Sequence, residues 1–243
     1  MREAPFLRRR SVIGRKVSEP SHDRPRSPIR ALARSDFDGD GVNDIACFRP
    51  STGRWHIHGR ESVKFGEAGD IPVPADYDGD GRSDLAFFRP STGRWHIHDR
   101  ESVKFGEPGD IPVPADYDGD GAAELAFFRP STGRWHIRGR DSVKFGETGD
   151  IPVPADYDGD GAAELAFFQA SAGRWHIRGQ ESMKFGEAGD IPVPGNYDGD
   201  RRTDLAVFRP SNGRWYISGR QSVAFGQRGD VPLALPWAIY DAL

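Results

Sequence analysis

Carboxylates recur along this chain at a spacing that could hold a hard cation. Asp76-Tyr77-Asp78-Gly79-Asp80-Gly81-Arg82-Ser83-Asp84 places side-chain oxygens at positions 1, 3, 5 and 9 of a loop, with glycine at 4 and 6. The same pattern begins at Asp36, Asp116, Asp156 and, with Asn for Asp, at Asn196, each start forty residues after the last. Alternate side chains of such a loop converge on one point, while the glycines allow the tight turn that lets backbone carbonyls face inward. Carboxylates this close repel one another unless a cation sits among them. All the donors are hard oxygens, with no thiolate and no consistent imidazole, which favours calcium over zinc or copper. The side-chain ligands are therefore Asp36, Asp38, Asp40 and Asp44; Asp76, Asp78, Asp80 and Asp84; Asp116, Asp118, Asp120 and Glu124; Asp156, Asp158, Asp160 and Glu164; and Asn196, Asp198, Asp200 and Asp204.

A single Asp-Gly turn is also an ordinary hairpin signal that binds nothing. Five copies, each with Asp or Glu at the ninth position, weigh for a metal: up to five calcium ions. The fifth loop should be the weakest, since Asn196 removes a charge and Arg201 replaces a glycine suited to positive φ, at about 1 kcal/mol. An EF-hand is excluded. That loop needs a bidentate Glu at position 12 and flanking helices, whereas position 12 here is Cys47, Phe87, Phe127, Phe167 or Val207. The segment after the loop, Leu85-Ala86-Phe87-Phe88, is short and apolar and ends at Arg89-Pro90, so it reads as a strand.

The elements that must position these loops follow the same period. One unit runs Ile71-Pro72-Val73-Pro74-Ala75, the acidic loop, Leu85 to Pro90, Ser91-Thr92-Gly93, Arg94 to His98, a polar turn, then Ser102 to Gly106. Four short strands per forty residues are the period and content of a β-propeller blade. The expected fold is all-β, a propeller of five 40-residue four-stranded blades over residues 31–235. Composition agrees, with 36% hydrophobic residues, 30 Gly and 19 Pro in 243 residues. Prolines in the first strand place it at a sheet edge, where their missing N–H groups cost no ladder bond. First-strand candidates number six for five places, including Ala31–Arg34 and Val231–Leu235, so either one terminal segment is surplus or the two compete for ring closure. An open array that pairs with a second chain, a homo-oligomer, stands as the alternative.

The repeat resembles the FG-GAP family, also called VCBS-type repeats, seen in the integrin α-chain propeller and in many secreted bacterial proteins. The residues that carry the resemblance are the Phe-Gly pairs at 65–66, 105–106, 145–146, 185–186 and 225–226, followed by D-x-D-G-D-G-x-x-[DE]-[LI]-A. The family's second tripeptide falls on Phe48-Arg49-Pro50, Phe88-Arg89-Pro90, Phe128-Arg129-Pro130 and Phe208-Arg209-Pro210, and departs to Phe168-Gln169-Ala170 in the fourth copy. The resemblance implies a calcium-loaded propeller used for adhesion or ligand binding, usually extracellular or on the cell surface. By position it adds the backbone carbonyls of Val42, Arg82, Ala122, Ala162 and Arg202 to the ligand sets.

Outside the loops the candidates for chemistry are weak. Trp55, Trp95, Trp135, Trp175 and Trp215 recur at one place per unit and read as core between blades, with stacking platforms for sugar as the alternative. The His-x-His pairs at 56/58 and 96/98 fade to His136/Arg138, His176/Arg178 and Tyr216/Ser218, which argues against a transition-metal site. Near-identical copies do not make a catalytic centre, which needs distinct roles in one place, so no enzyme is expected. Arg228-Gly229-Asp230 spells an integrin-recognition tripeptide, but Gly-Asp recurs at every blade connection.

Net charge divides unevenly, +7 over residues 1–34 and −11 over the remainder. Five calcium ions would bring the repeat body close to neutrality, so its acidity is a property of the loops rather than a sign of a basic partner. Residues 1–30 form a basic, Arg-, Ser- and Pro-rich stretch expected to be disordered, and residues 236–243 a short tail. No aromatic interleaving points to nucleic acid, no apolar run could span a membrane, and Arg8-Arg9-Arg10 interrupts any signal-peptide core. The functional expectation is a non-catalytic module binding carbohydrate or protein on an extracellular surface. Its rivals are the targeting propeller of a secreted enzyme and a purely structural or engineered repeat.

Overall fold

The computed structural model describes residues 35–40 and 44–227. The basic stretch 1–30, the first-strand candidates at 31–34 and 231–235, Val42, the tripeptide 228–230 and the tail 236–243 lie outside the described residues. The protein is all-β, a five-bladed β-propeller. Blade 2 is a meander of Ile71–Pro72, Ala86–Arg89, Arg94–Ile97 and Val103–Lys104. Blades 3, 4 and 5 repeat it from Ile111–Pro112, Ile151–Pro152 and Ile191–Pro192. Blade 1 shows three strands among the described residues, Ala46–Arg49, Arg54–Ile57 and Val63–Lys64.

The first strand pairs over only two residues, Ile71 with Phe88 and Pro72 with Phe87, and lies at the sheet edge as its prolines require. Beyond it, a bridge between Ala75 and Asp84 closes the base of the acidic loop. The turn between the second and third strands depends on glycine. Gly93 has φ +63°, and a Cβ there would stand 2.1 Å from the carbonyl oxygen of Gly106. The Gly of the Phe-Gly pair is thus the floor on which that turn rests.

Each blade is built on one tryptophan. Trp55, Trp95, Trp135 and Trp175 are 1–3% exposed. The Trp95 and Trp135 indole N–H groups donate to the carbonyls of Phe105 and Phe145 at 2.6 Å, so burial leaves no polar atom unpaired there. The core reading therefore holds for these four rings, which offer no face to a sugar.

Consecutive blades meet through repeated contacts. Leu125 of blade 3 completes the core of blade 2, and Leu165 of blade 4 completes that of blade 3. In the other direction Phe65 packs edge-on against Phe87 at 4.9 Å, and Phe105 against Phe127 at 5.0 Å. The backbone N–H at loop position 8 also donates to the position-1 carbonyl of the preceding loop: Ser83 to Asp36 and Ala123 to Asp76 at 2.6 Å, Ala163 to Asp116 at 2.7 Å, Thr203 to Asp156 at 2.8 Å. The acidic loops consequently stand in one hydrogen-bonded row.

A second recurring device ties each blade connection to the second strand. Arg89 donates through Nε and Nη2 to both oxygens of Asp70, each at 2.8 Å, and Arg129–Asp110 and Arg209–Asp190 repeat this fork. The sequence reading saw the Gly-Asp and Phe-Arg-Pro elements but not their union. The available signal was their constant separation of 19 residues. In blade 4 Gln169 stands in place of the arginine, and burial lifts the Asp150 carboxyl above the usual carboxylate range, against the Glu147 N–H that it accepts.

Candidate metal centre

The loop lies between the edge strand and the second strand of a blade, and its own carboxylates shape it. In blade 3, Asp116 accepts the N–H groups of Gly119 at 2.6 Å and Gly121 at 2.8 Å, one on each oxygen. Asp120 accepts the Ala122 N–H at 2.8 Å, and Glu124 accepts the Tyr117 N–H at 2.7 Å. Each carboxylate oxygen has a second lone pair, so these bonds orient the groups without using them up. The Tyr117 hydroxyl donates to the Val113 carbonyl at 2.7 Å and anchors the loop to the core.

The result is convergence. Ligand oxygens of Asp116, Asp118, Asp120 and Glu124 lie within 4.8 Å of one another, as do those of Asp156, Asp158, Asp160 and Glu164. Asp36, Asp38 and Asp40 make a three-carboxylate group, and so do Asp76, Asp78 and Asp80. The ninth-position Asp44 and Asp84 stay outside these groups. An Asp reaches one methylene less than a Glu, while the ninth-position carboxylates of all four loops accept the equivalent backbone N–H, for Asp44 and Asp84 those of Phe37 at 2.8 Å and Tyr77 at 3.1 Å. In the fifth loop the carboxylates of Asp198, Asp200 and Asp204 form no such group by themselves. Arg201 there has φ +79°, the left-handed conformation of Gly81, Gly121 and Gly161. These clusters could hold a metal ion, and their donor chemistry suits a hard one. Among the described residues no histidine joins a metal-holding group. His96 instead stacks on Phe87, with ring centroids 4.5 Å apart.

Arginine is the part of the site that sequence reasoning missed. Arg100, from the polar turn after the third strand, places its guanidinium 2.8 Å from Asp78 and 3.4 Å from Asp84. Arg140 does the same in blade 3, 3.1 Å from Asp118 and 4.0 Å from Glu124. Such a tethered cation partly neutralises the loop and competes with a metal. Blade 4 has Gln180 at this place. Its loop therefore combines four converging carboxylates with no such arginine.

Burial pushes Asp84, Glu124 and Glu164 above the usual carboxylate range. Accepted tyrosine N–H groups oppose this, and around Glu164 the acting charges are the carboxylates of Asp158, Asp156 and Asp160. A carboxyl raised in the folded state holds its proton more tightly there than in the unfolded chain. Its contribution to stability is complete below the ordinary value of 4.5 and is lost as the pH rises through the raised one. At neutral pH, Glu164→Gln should therefore raise the melting temperature of the metal-free protein, by about 2 °C. With a divalent cation present the same substitution should lower it, because a ligand is gone. Calorimetry under both conditions reads the two signs. A fall in both would mean that Glu164 serves only as a structural acceptor.

Comparison of the chain with protein-family models, curated proteins and solved structures finds no match.

Proposed function

We propose that the protein is a calcium-binding, non-catalytic propeller of the FG-GAP or VCBS kind, acting outside the cell as an adhesion or binding module for carbohydrate or protein. The observation that carries this reading is the convergence of four carboxylates in each of two successive loops. Calcium takes six to eight oxygens at flexible geometry, and a loop offering four carboxylates and one carbonyl leaves room for water or a ligand oxygen. Positions 3 and 5 of these loops are exposed while positions 1 and 9 are partly or fully covered, so an ion bound there faces solvent on one side. Repetition of one surface by near-identical blades favours multivalent binding over catalysis, which needs differentiated groups.

Titration calorimetry on chelator-stripped protein tests the reading. Calcium should bind at more than one site with dissociation constants on the order of 10⁻⁴ M, as in extracellular modules. The loop holding Glu164 should fill first and the loop holding Asn196 last. Absence of heat up to millimolar calcium would remove the metal, and the Asn196 loop filling first would overturn the ligand assignment. Glycan and matrix-protein arrays probed with and without calcium then test the binding role.

A further inference from the structure

Within the chain each blade junction is a two-way exchange, a leucine given backward and a phenylalanine given forward. Among the described residues four such junctions are built, and the outer faces of the last and first blades are without one. On the last blade Phe225 is 76% exposed, and Trp215 and Ile217 are only half-buried where Trp95 and Ile97 are buried. On the first blade Ile45, at the place of the leucine, is 78% exposed. Cys47, at the place of Phe87, is exposed. So is His58, at the place of His98, whose ring meets Phe65 edge-on at 5.0 Å. Among the described residues neither face buries Ile45, Cys47 or Phe225 of the other, and each carries what the other lacks.

We propose that a second copy of this chain fills this gap, docking head to tail with the last blade of one copy against the first blade of the next. Ile45 of one copy closes over Trp215 and Ile217 of the other, as Leu125 and Leu165 do within the chain. Phe225 settles on Cys47 and His58, as Phe65 does on Phe87 and His98. Sulfur replaces a ring at one point of this contact, and sulfur–aromatic contact is itself favourable. The argument is continuity: the interface is the one the chain already builds between its own blades. It is heterologous, so copies add in a closed ring or an open series. It is also independent of any bound metal.

Sedimentation velocity of the full chain over a concentration series tests the proposal, alone and as Ile45→Glu and Phe225→Glu. Both side chains are solvent-exposed, so each variant should retain the parent's near-ultraviolet dichroism. The parent should associate with rising concentration, and each variant alone should stay monomeric or associate at least about tenfold more weakly. An equimolar mixture of the two variants should form a one-to-one dimer that grows no further, since each retains one intact face. The Cys47 thiol should react slowly in the parent at high concentration and fast in Ile45→Glu. A parent that remains monomeric to on the order of 100 µM overturns the proposal. Protection of Cys47 in that monomer would assign the cover to the chain's own segments, and a reactive Cys47 would mean an uncovered face. Association of the variants equal to the parent's also overturns it.

Discussion

Transfer from excess chelator into millimolar calcium is expected to raise the unfolding temperature by roughly 10 °C. The metal-free loops hold carboxylates together against their mutual repulsion, and in blade 4 Gln180 stands where Arg100 and Arg140 reach into the loops of blades 2 and 3. A cation that binds only the folded loop adds RT ln(1 + [Ca²⁺]/Kd) per site, about 1.4 kcal/mol at a tenfold excess over Kd. Two well-formed sites would contribute about 3 kcal/mol, and a domain of this size shifts by about 2–4 °C per kcal/mol. The transition should also sharpen, because each loop is hydrogen-bonded to the next and ordering one restrains its neighbour. The double variant Glu124→Gln/Glu164→Gln should lose most of the shift. Differential scanning calorimetry in calcium, magnesium and chelator decides the matter. Identical traces in all three would leave the loops as self-bonded turns.

The second large effect belongs to the fork between Asp110 and Arg129. Asp110→Ala should cost about 3 kcal/mol, since it leaves a partly buried guanidinium without its two charged hydrogen bonds. Some relief remains, because Glu107 stands 3.2 Å from Arg129. Blade 4 supplies the reverse experiment. Asp150 is already without an arginine and its carboxyl is lifted by burial, so Asp150→Asn should change stability by less than about 0.5 kcal/mol. Gln169→Arg should stabilise by about 1–2 kcal/mol, the Asp150 acceptor and the Phe167 face being in place. Denaturant midpoints of the three variants test the set. Equal losses for Asp110→Ala and Asp150→Asn would show that the guanidinium contributes nothing beyond the backbone bond.

Most of the fold was legible because one period governs it. The forty-residue spacing located the loops, the apolar run Leu85–Phe88 located the second strand, and Pro72 and Pro74 placed the first strand at an edge. The left-handed Arg201 was legible too, since glycine occupies its place in the neighbouring loops. Less of the site could be read. Whether the ninth carboxylate joins the others turns on one methylene, Asp84 against Glu124, since both accept the same tyrosine N–H. The reach of Arg100 into its loop bridges 16 and 22 residues of chain, with no local pattern to announce it. The exposed end faces are a matter of how blade follows blade, which a single unit does not encode.

The sameness of the junctions has a genetic consequence. A blade specifies how to receive its predecessor and how to present itself to its successor, but nothing in it counts. Unequal crossing-over between such similar coding segments would delete or duplicate a whole unit and leave every surviving junction chemically unchanged. Repeat number can therefore change in whole units without altering the residues that meet at any surviving junction. Substitutions such as Arg201 or Gln169 mark individual copies, and natural length variants should differ by multiples of forty residues.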